Sequence, residues 1–157
     1  MRAKRWLVVK LPSLVLIATS VTMAETPVKM ADLPPAVQNT VKQQMAGATL
    51  RGLSKETEHG KTTYEAELIV NGTHKDVTID ADGKIIEVEE EVQLASIPEA
   101  ARNAIQAAAG KSGKVLKVES VTEGDKLVAY EAQIQKTPNG KRSEVRVDAA
   151  GKPAPEH

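Results

Sequence analysis

The chain has 157 residues, 21 Lys+Arg against 21 Asp+Glu, and 41% hydrophobic side chains, which fits one folded unit or two very small ones rather than a disordered tail. Zero Cys excludes thiol catalysis, disulfides, Cys-based zinc sites, Fe–S clusters and lipid attachment through an N-terminal Cys. With no Phe, two Tyr and one Trp, surfaces that stack rings on sugars or unpaired bases are excluded as well.

Arg2, Lys4 and Arg5 precede an apolar stretch over 11–18, and Thr22-Met23-Ala24 offers short side chains where a signal peptidase needs them. This predicts a cleavable secretory signal over 1–24, because Lys10 and Pro12 cut the run short of the roughly 20 apolar residues of a membrane span. Cleavage after Ala24 leaves 133 residues with 17 basic and 21 acidic side chains, a net charge of −4. That balance carries neither a nucleic-acid nor an anionic-membrane footprint.

The remaining sequence is self-similar. Leu33-Pro34-Pro35-Ala36-Val37 returns as Ile97-Pro98-Glu99-Ala100-Ala101, Tyr64-Glu65-Ala66 as Tyr130-Glu131-Ala132, and Asp80-Ala81-Asp82-Gly83-Lys84 as Asp148-Ala149-Ala150-Gly151-Lys152. Each copy opens with a helix signal. Ser96 with Glu99 reads as a capping box around Pro98, and Asp32 ahead of Pro34 and Pro35 plays the same part in the first copy. Apolar residues then recur every fourth position: Leu33, Val37, Val41 and Met45, then Ile97, Ala101, Ile105 and Ala109. This is one stripe of an amphipathic helix, expected to stop near Gly47 and Gly110.

Beyond each helix the period falls to two, with turn signals at His59-Gly60, Asn71-Gly72, Asp82-Gly83, Gly124-Asp125, Asn139-Gly140 and Ala150-Gly151. Tyr64, Ala66, Leu68 and Val70 share one strand face, as do Tyr130, Ala132 and Ile134; Glu65, Glu67, Glu131 and Gln133 point the other way. A fourth strand follows in the first copy, with Glu87, Glu89 and Glu91 on a solvated face that discourages edge pairing and Ile86, Val88 and Val92 facing inward. The expectation is an α+β protein of two tandem helix-plus-antiparallel-sheet (αβββ(β)) repeats, 25–94 and 95–157, packed together because a copy of about 60 residues is marginal alone.

Catalytic signatures are missing from the sequence: no Gly-x-Ser-x-Gly, Ser-x-x-Lys or His-Glu-x-x-His occurs. His59 and His74 fall in turns at opposite ends of one strand, roughly 30 Å apart at the ordinary strand rise, and cannot share a metal. His157 ends the chain. Asp80-Ala81-Asp82-Gly83 resembles the opening of an EF-hand loop but lacks the ligands that should follow, so it reads as turn chemistry. Glu65 and Glu131 are expected at equivalent solvent positions rather than as a catalytic pair, and Tyr64 and Tyr130 as core.

The Leu-Pro or Ile-Pro helix start, the Tyr-Glu-Ala strand and the Asp-Ala-x-Gly-Lys turn resemble the PepSY-like family of small exported bacterial proteins, similar in fold to the beta-lactamase inhibitory protein. The resemblance implies an exported, periplasmic or secreted, noncatalytic protein-binding module that inhibits or regulates a peptidase or another envelope enzyme. No enzymatic activity, cofactor or metal is expected. The partner would be an envelope protein met through the outward faces, with Glu65, Glu67, Glu131 and Gln133 as the candidate contacts. The alternative is an envelope sensor or buffer binding a cation or small ligand through the acidic strand 87–91.

Overall fold

The computed structural model describes residues 25–58 and 60–155. The segment read as a signal, His59 and His157 lie outside the described residues. Eight strands form one antiparallel sheet in sequential order: β1 (Thr26–Pro27), β2 (Ala48–Glu58), β3 (Lys61–Val70), β4 (Thr73–Asp80), β5 (Ile85–Glu91), β6 (Lys114–Glu123), β7 (Lys126–Gln135) and β8 (Arg142–Val147). Helix α1 (Pro35–Gln44) precedes β2 and helix α2 (Glu99–Ala109) lies between β5 and β6. Neither is long and apolar enough to cross a membrane.

The chain is thus α+β, but the expectation of two tandem helix-plus-sheet repeats packed together is overturned. β5 pairs with β6 through Val88↔Thr122, Glu89↔Val121, Glu90↔Ser120 and Glu91↔Glu119, so the strands run on as one sheet. The acidic strand is an interior strand, and two of its carboxylates meet cations, Glu87 the Arg146 of β8 and Glu90 the Lys75 of β4.

The four-residue stripes fold as read. Leu33, Val37 and Val41 are buried under α1 with Ala66, Leu68, Val77 and Ile79; Ile97, Ala101, Ile105 and Ala109 are buried under α2 with Val118, Tyr130, Ala132, Ile134 and Val147. Register puts both helices on the same face of the sheet, and the two clusters share no residue. Ile105 is fully buried, so Ile105→Ala is expected to cost about 2–5 kcal/mol, read as a lower urea midpoint at unchanged slope.

The predicted capping devices do not form. The helices are entered from Pro34 and Pro98 without a side-chain cap, and Ser96 Oγ donates instead to Gln93 O at 2.7 Å, because it stands two residues ahead of the helix entry. Asp32 closes a short 3-10 turn (Met30–Asp32). Asn71 and Gly72 both take positive φ, 52° and 86°, as a type I′ hairpin requires. The Asn139-Gly140 pair instead sits within a longer loop between Gln135 and Arg142.

Both Asp-Ala-x-Gly-Lys turns use their aspartate internally. Asp80 Oδ1 accepts from the backbone N–H of Asp82 and Lys84, and Asp148 Oδ1 from those of Ala150 and Lys152. Each turn abuts a helix: Thr40 Oγ1 of α1 donates to Gly83 O at 2.6 Å, and Gly151 lies against the backbone of Ala100 in α2. At the sheet ends, Pro27 sits in β1, and Pro153 bridges Val147 while Ala154 N–H donates to Arg146 O.

Candidate functional site

The helix-free face of the sheet collects most of the chain's unusual electrostatics. Strand alternation and register place on it Ser54 of β2, Glu65 and Glu67 of β3, Asp76 and Thr78 of β4, and Glu87, Glu89 and Glu91 of β5. On the far side of the β5–β6 seam it carries Lys117, Glu119 and Val121 of β6, Ala129, Glu131 and Gln133 of β7, and Glu144 and Arg146 of β8. All four sequence candidates, Glu65, Glu67, Glu131 and Gln133, therefore stand on this one face. Glu65 and Glu131 are four strands apart and do not pair.

Two cations organise the face. Arg146 Nη2 lies 2.6 Å from Glu87 Oε2 and 3.7 Å from Glu123 Oε1, and Nη1 lies 3.9 Å from Glu131 Oε2. Lys117 Nζ lies 2.8 Å from Glu119 Oε1 and 3.8 Å from Asp76 Oδ2.

The Arg146–Glu87 contact reports on shape. Arg146 stands opposite Glu131, which stands opposite Glu119, which stands opposite Glu91, four residues along β5 from Glu87. On a flat sheet the two would be roughly 19 Å apart, from three strand spacings and four residues of rise. Right-handed twist lifts one diagonal of a sheet towards the viewer, and the Lys117–Asp76 contact runs along the same diagonal with the same four-residue offset. The helix-free face is concave along that diagonal. Val121 and Ala129 are buried on it without a helix above them.

Concavity and crowding take carboxylates out of water. The Glu89 carboxyl is pushed up to about 9, first by burial and then by Glu131, Glu119, Glu87 and Asp76. Burial also raises Glu65, to about 8, with Glu25, Asp76 and Glu67 adding to it. Asp76 is raised to about 6, burial again dominating while Lys117 pulls the other way. For Lys117 and Arg146 burial would favour the neutral form, but the contacts to Glu119 and Glu87 outweigh it and hold both firmly charged. The solvated row expected for strand 87–91 is thus corrected: Glu87, Glu89 and Glu91 are partly buried, while Ile86, expected inside, is 37% exposed.

Carboxylate oxygens of Asp76, Glu89 and Glu119 lie within 4.8 Å of one another, a spacing at which three oxygens can share a cation. Lys117 already reaches Glu119 and Asp76, so the fold supplies a cation of its own to the trio. Sequence reading missed Asp76, Glu119, Lys117 and Arg146. The available signal was two basic residues at outward positions that are otherwise acidic, Arg146 being flanked by the inward Val145 and Val147.

No family profile matches the sequence, and no curated protein matches it. The fold, however, is shared with solved bacterial structures. A candidate periplasmic protein of Bacteroides eggerthii DSM 20697 superposes with a TM-score of 0.59 at 20% identity, covering 80% of this chain and 88% of that one. A DUF2874 family protein of Bacteroides uniformis ATCC 8492 gives 0.57 at 18% identity, over 76% and 85% of the two chains. A BLIP-like protein of Bacteroides fragilis NCTC 9343 gives 0.51 at 21% identity, over 80% and 86%. At these identities the likeness is one of fold, and it is this fold, not PepSY-like membership, that the comparisons support.

Proposed function

We infer that the protein is a noncatalytic module of the periplasm that docks another protein on its helix-free sheet face. The observation that carries this reading is the concave face itself, which spans seven strands, is left uncovered by both helices, and has Glu87, Glu131, Asp76 and Glu119 held by Arg146 and Lys117. Fixed side chains lose less entropy on association than mobile ones, which favours protein docking. The shared fold with candidate periplasmic and BLIP-like proteins supports both the compartment and the absence of catalysis. Regulation or inhibition of an envelope enzyme is the finer reading that goes with it. Glu67, exposed on this face, and Gln133 are the contacts the partner would meet first.

The test is crosslinking and affinity capture with the protein expressed in its own host. The expected result is one stoichiometric partner crosslinked through the faces of β3 and β7, with capture reduced about tenfold or more by Glu67→Arg. A partner crosslinked only through α1 or α2, or no partner from a folded preparation, removes the docking reading. Cation binding at Asp76, Glu89 and Glu119 would then be the competing function, read as a melting temperature raised by millimolar Ca²⁺.

A further inference from the structure

Apart from the two-residue β1 contact, the β5–β6 seam is the shortest ladder of the sheet. The β2–β3 and β6–β7 ladders run nearly the full length of their strands, whereas the seam has four register pairs plus the Val92 N–H to Val118 O bond at 2.9 Å. No buried residue is common to the two hydrophobic clusters, and apolar packing reaches across the seam at its end, where Val92, just past β5, lies partly buried against the α2 cluster. On the helix-free face, ionic side-chain contacts between described residues cross it: Arg146 of β8 to Glu87 of β5, and Lys117 of β6 to Asp76 of β4. They run parallel, along the diagonal on which the face is concave.

We propose that Arg146 and Lys117 form a two-point ionic clasp that holds the sheet curled across the β5–β6 seam, so that the curvature of the helix-free face can relax while both hydrophobic cores stay intact. The clasp is asymmetric. Arg146 also lies near Glu123 and Glu131 on its own side, so its guanidinium stays compensated when the contact to Glu87 is lost. Lys117 likewise keeps Glu119, at 2.8 Å, when it lets go of Asp76. Each cation therefore exchanges a partner across the seam for one beside it without being left bare in the interior, which is what makes opening a local event rather than global unfolding.

The experiment is residue-resolved amide hydrogen exchange on Glu87→Gln, which removes the cross-seam charge and leaves Arg146 its other two carboxylates. The seam amides, from 88–92 and 118–122, should exchange at least about tenfold faster, while amides in α1, α2 and the β2–β3 ladder keep their rates. Unchanged seam amides, or a uniform acceleration of seam and core together, would overturn the clasp. Should the variant not fold, the unaltered protein decides the matter in about 1 M salt, where ionic contacts weaken. Selective loss of seam protection supports the proposal, and seam protection that follows the cores refutes it.

Discussion

Glu89→Gln is expected to stabilise the protein at pH 8–9 and to leave it almost unchanged near pH 4.5. Glu89 keeps its proton in the folded state up to about pH 9, whereas an unfolded glutamate gives it up near the ordinary carboxylate value. Between those limits the folded chain binds more protons than the unfolded one, so stability is fully present below the lower value and drains away as pH rises to the higher. Glutamine has the shape of the protonated side chain but cannot ionise, and so removes this loss. The gain at pH 8–9 should be roughly 1–3 kcal/mol, the cost of a buried polar group without compensation. Thermal melts of both proteins across pH 4.5–9 check it: the wild-type curve should fall towards alkaline pH, and the variant's should fall less. A variant that melts lower at pH 8.5 would mean that Glu89 is charged and held by a partner.

Gly151→Ala should be among the most damaging single-methyl changes in the chain, at about 2–4 kcal/mol, combining the left-handed backbone penalty with overpacking. Gly151 has φ of +75°, and a Cβ there would come within 2.5 Å of Ala100 O and 2.9 Å of Ala100 C. Those are backbone atoms in the first turn of α2, which cannot swing aside as a side chain could. Gly47→Ala is the control, since Gly47 also has positive φ, +80°, but open space where its Cβ would go. It should cost about 1–2 kcal/mol, the backbone part alone. Chemical denaturation of the two variants separates them, and equal losses would show that the turn does not seat the helix.

That seating explains a motif visible in the sequence without its purpose. The Asp-Ala-x-Gly-Lys run reads as a turn from composition, and its aspartate does close the turn; the reason for the glycine is the helix start lying across it, a contact between positions some fifty residues apart. Helix stripes and the Asn71-Gly72 hairpin were legible because their causes are local: a period of about four, and two residues that tolerate positive φ. The continuous sheet was not, since alternation tells which face a residue takes and not which edge a strand meets. Strand 85–91 looked like a protected edge because its glutamates appeared uncompensated. Glu87 has its counterion in Arg146, which only the β5–β6 pairing brings near, and Glu90 has Lys75 of β4. For the same reason Glu65, Glu67, Glu131 and Gln133 were read as facing away from the helices, as the register has them, while Asp76, Glu119, Lys117 and Arg146 of that face were missed.

An open sheet of eight strands leaves two outer rims, and rims of unpaired backbone invite another chain to add itself. Here each rim carries a proline, Pro27 on β1 and Pro153 against Val147 at the end of β8, and a proline nitrogen has no hydrogen to offer a newcomer. The rim of β8 is further occupied by the Ala154 N–H to Arg146 O bond. At these positions the rims offer a newcomer no hydrogen to pair with, which opposes edge-to-edge growth of crowded copies into ribbons.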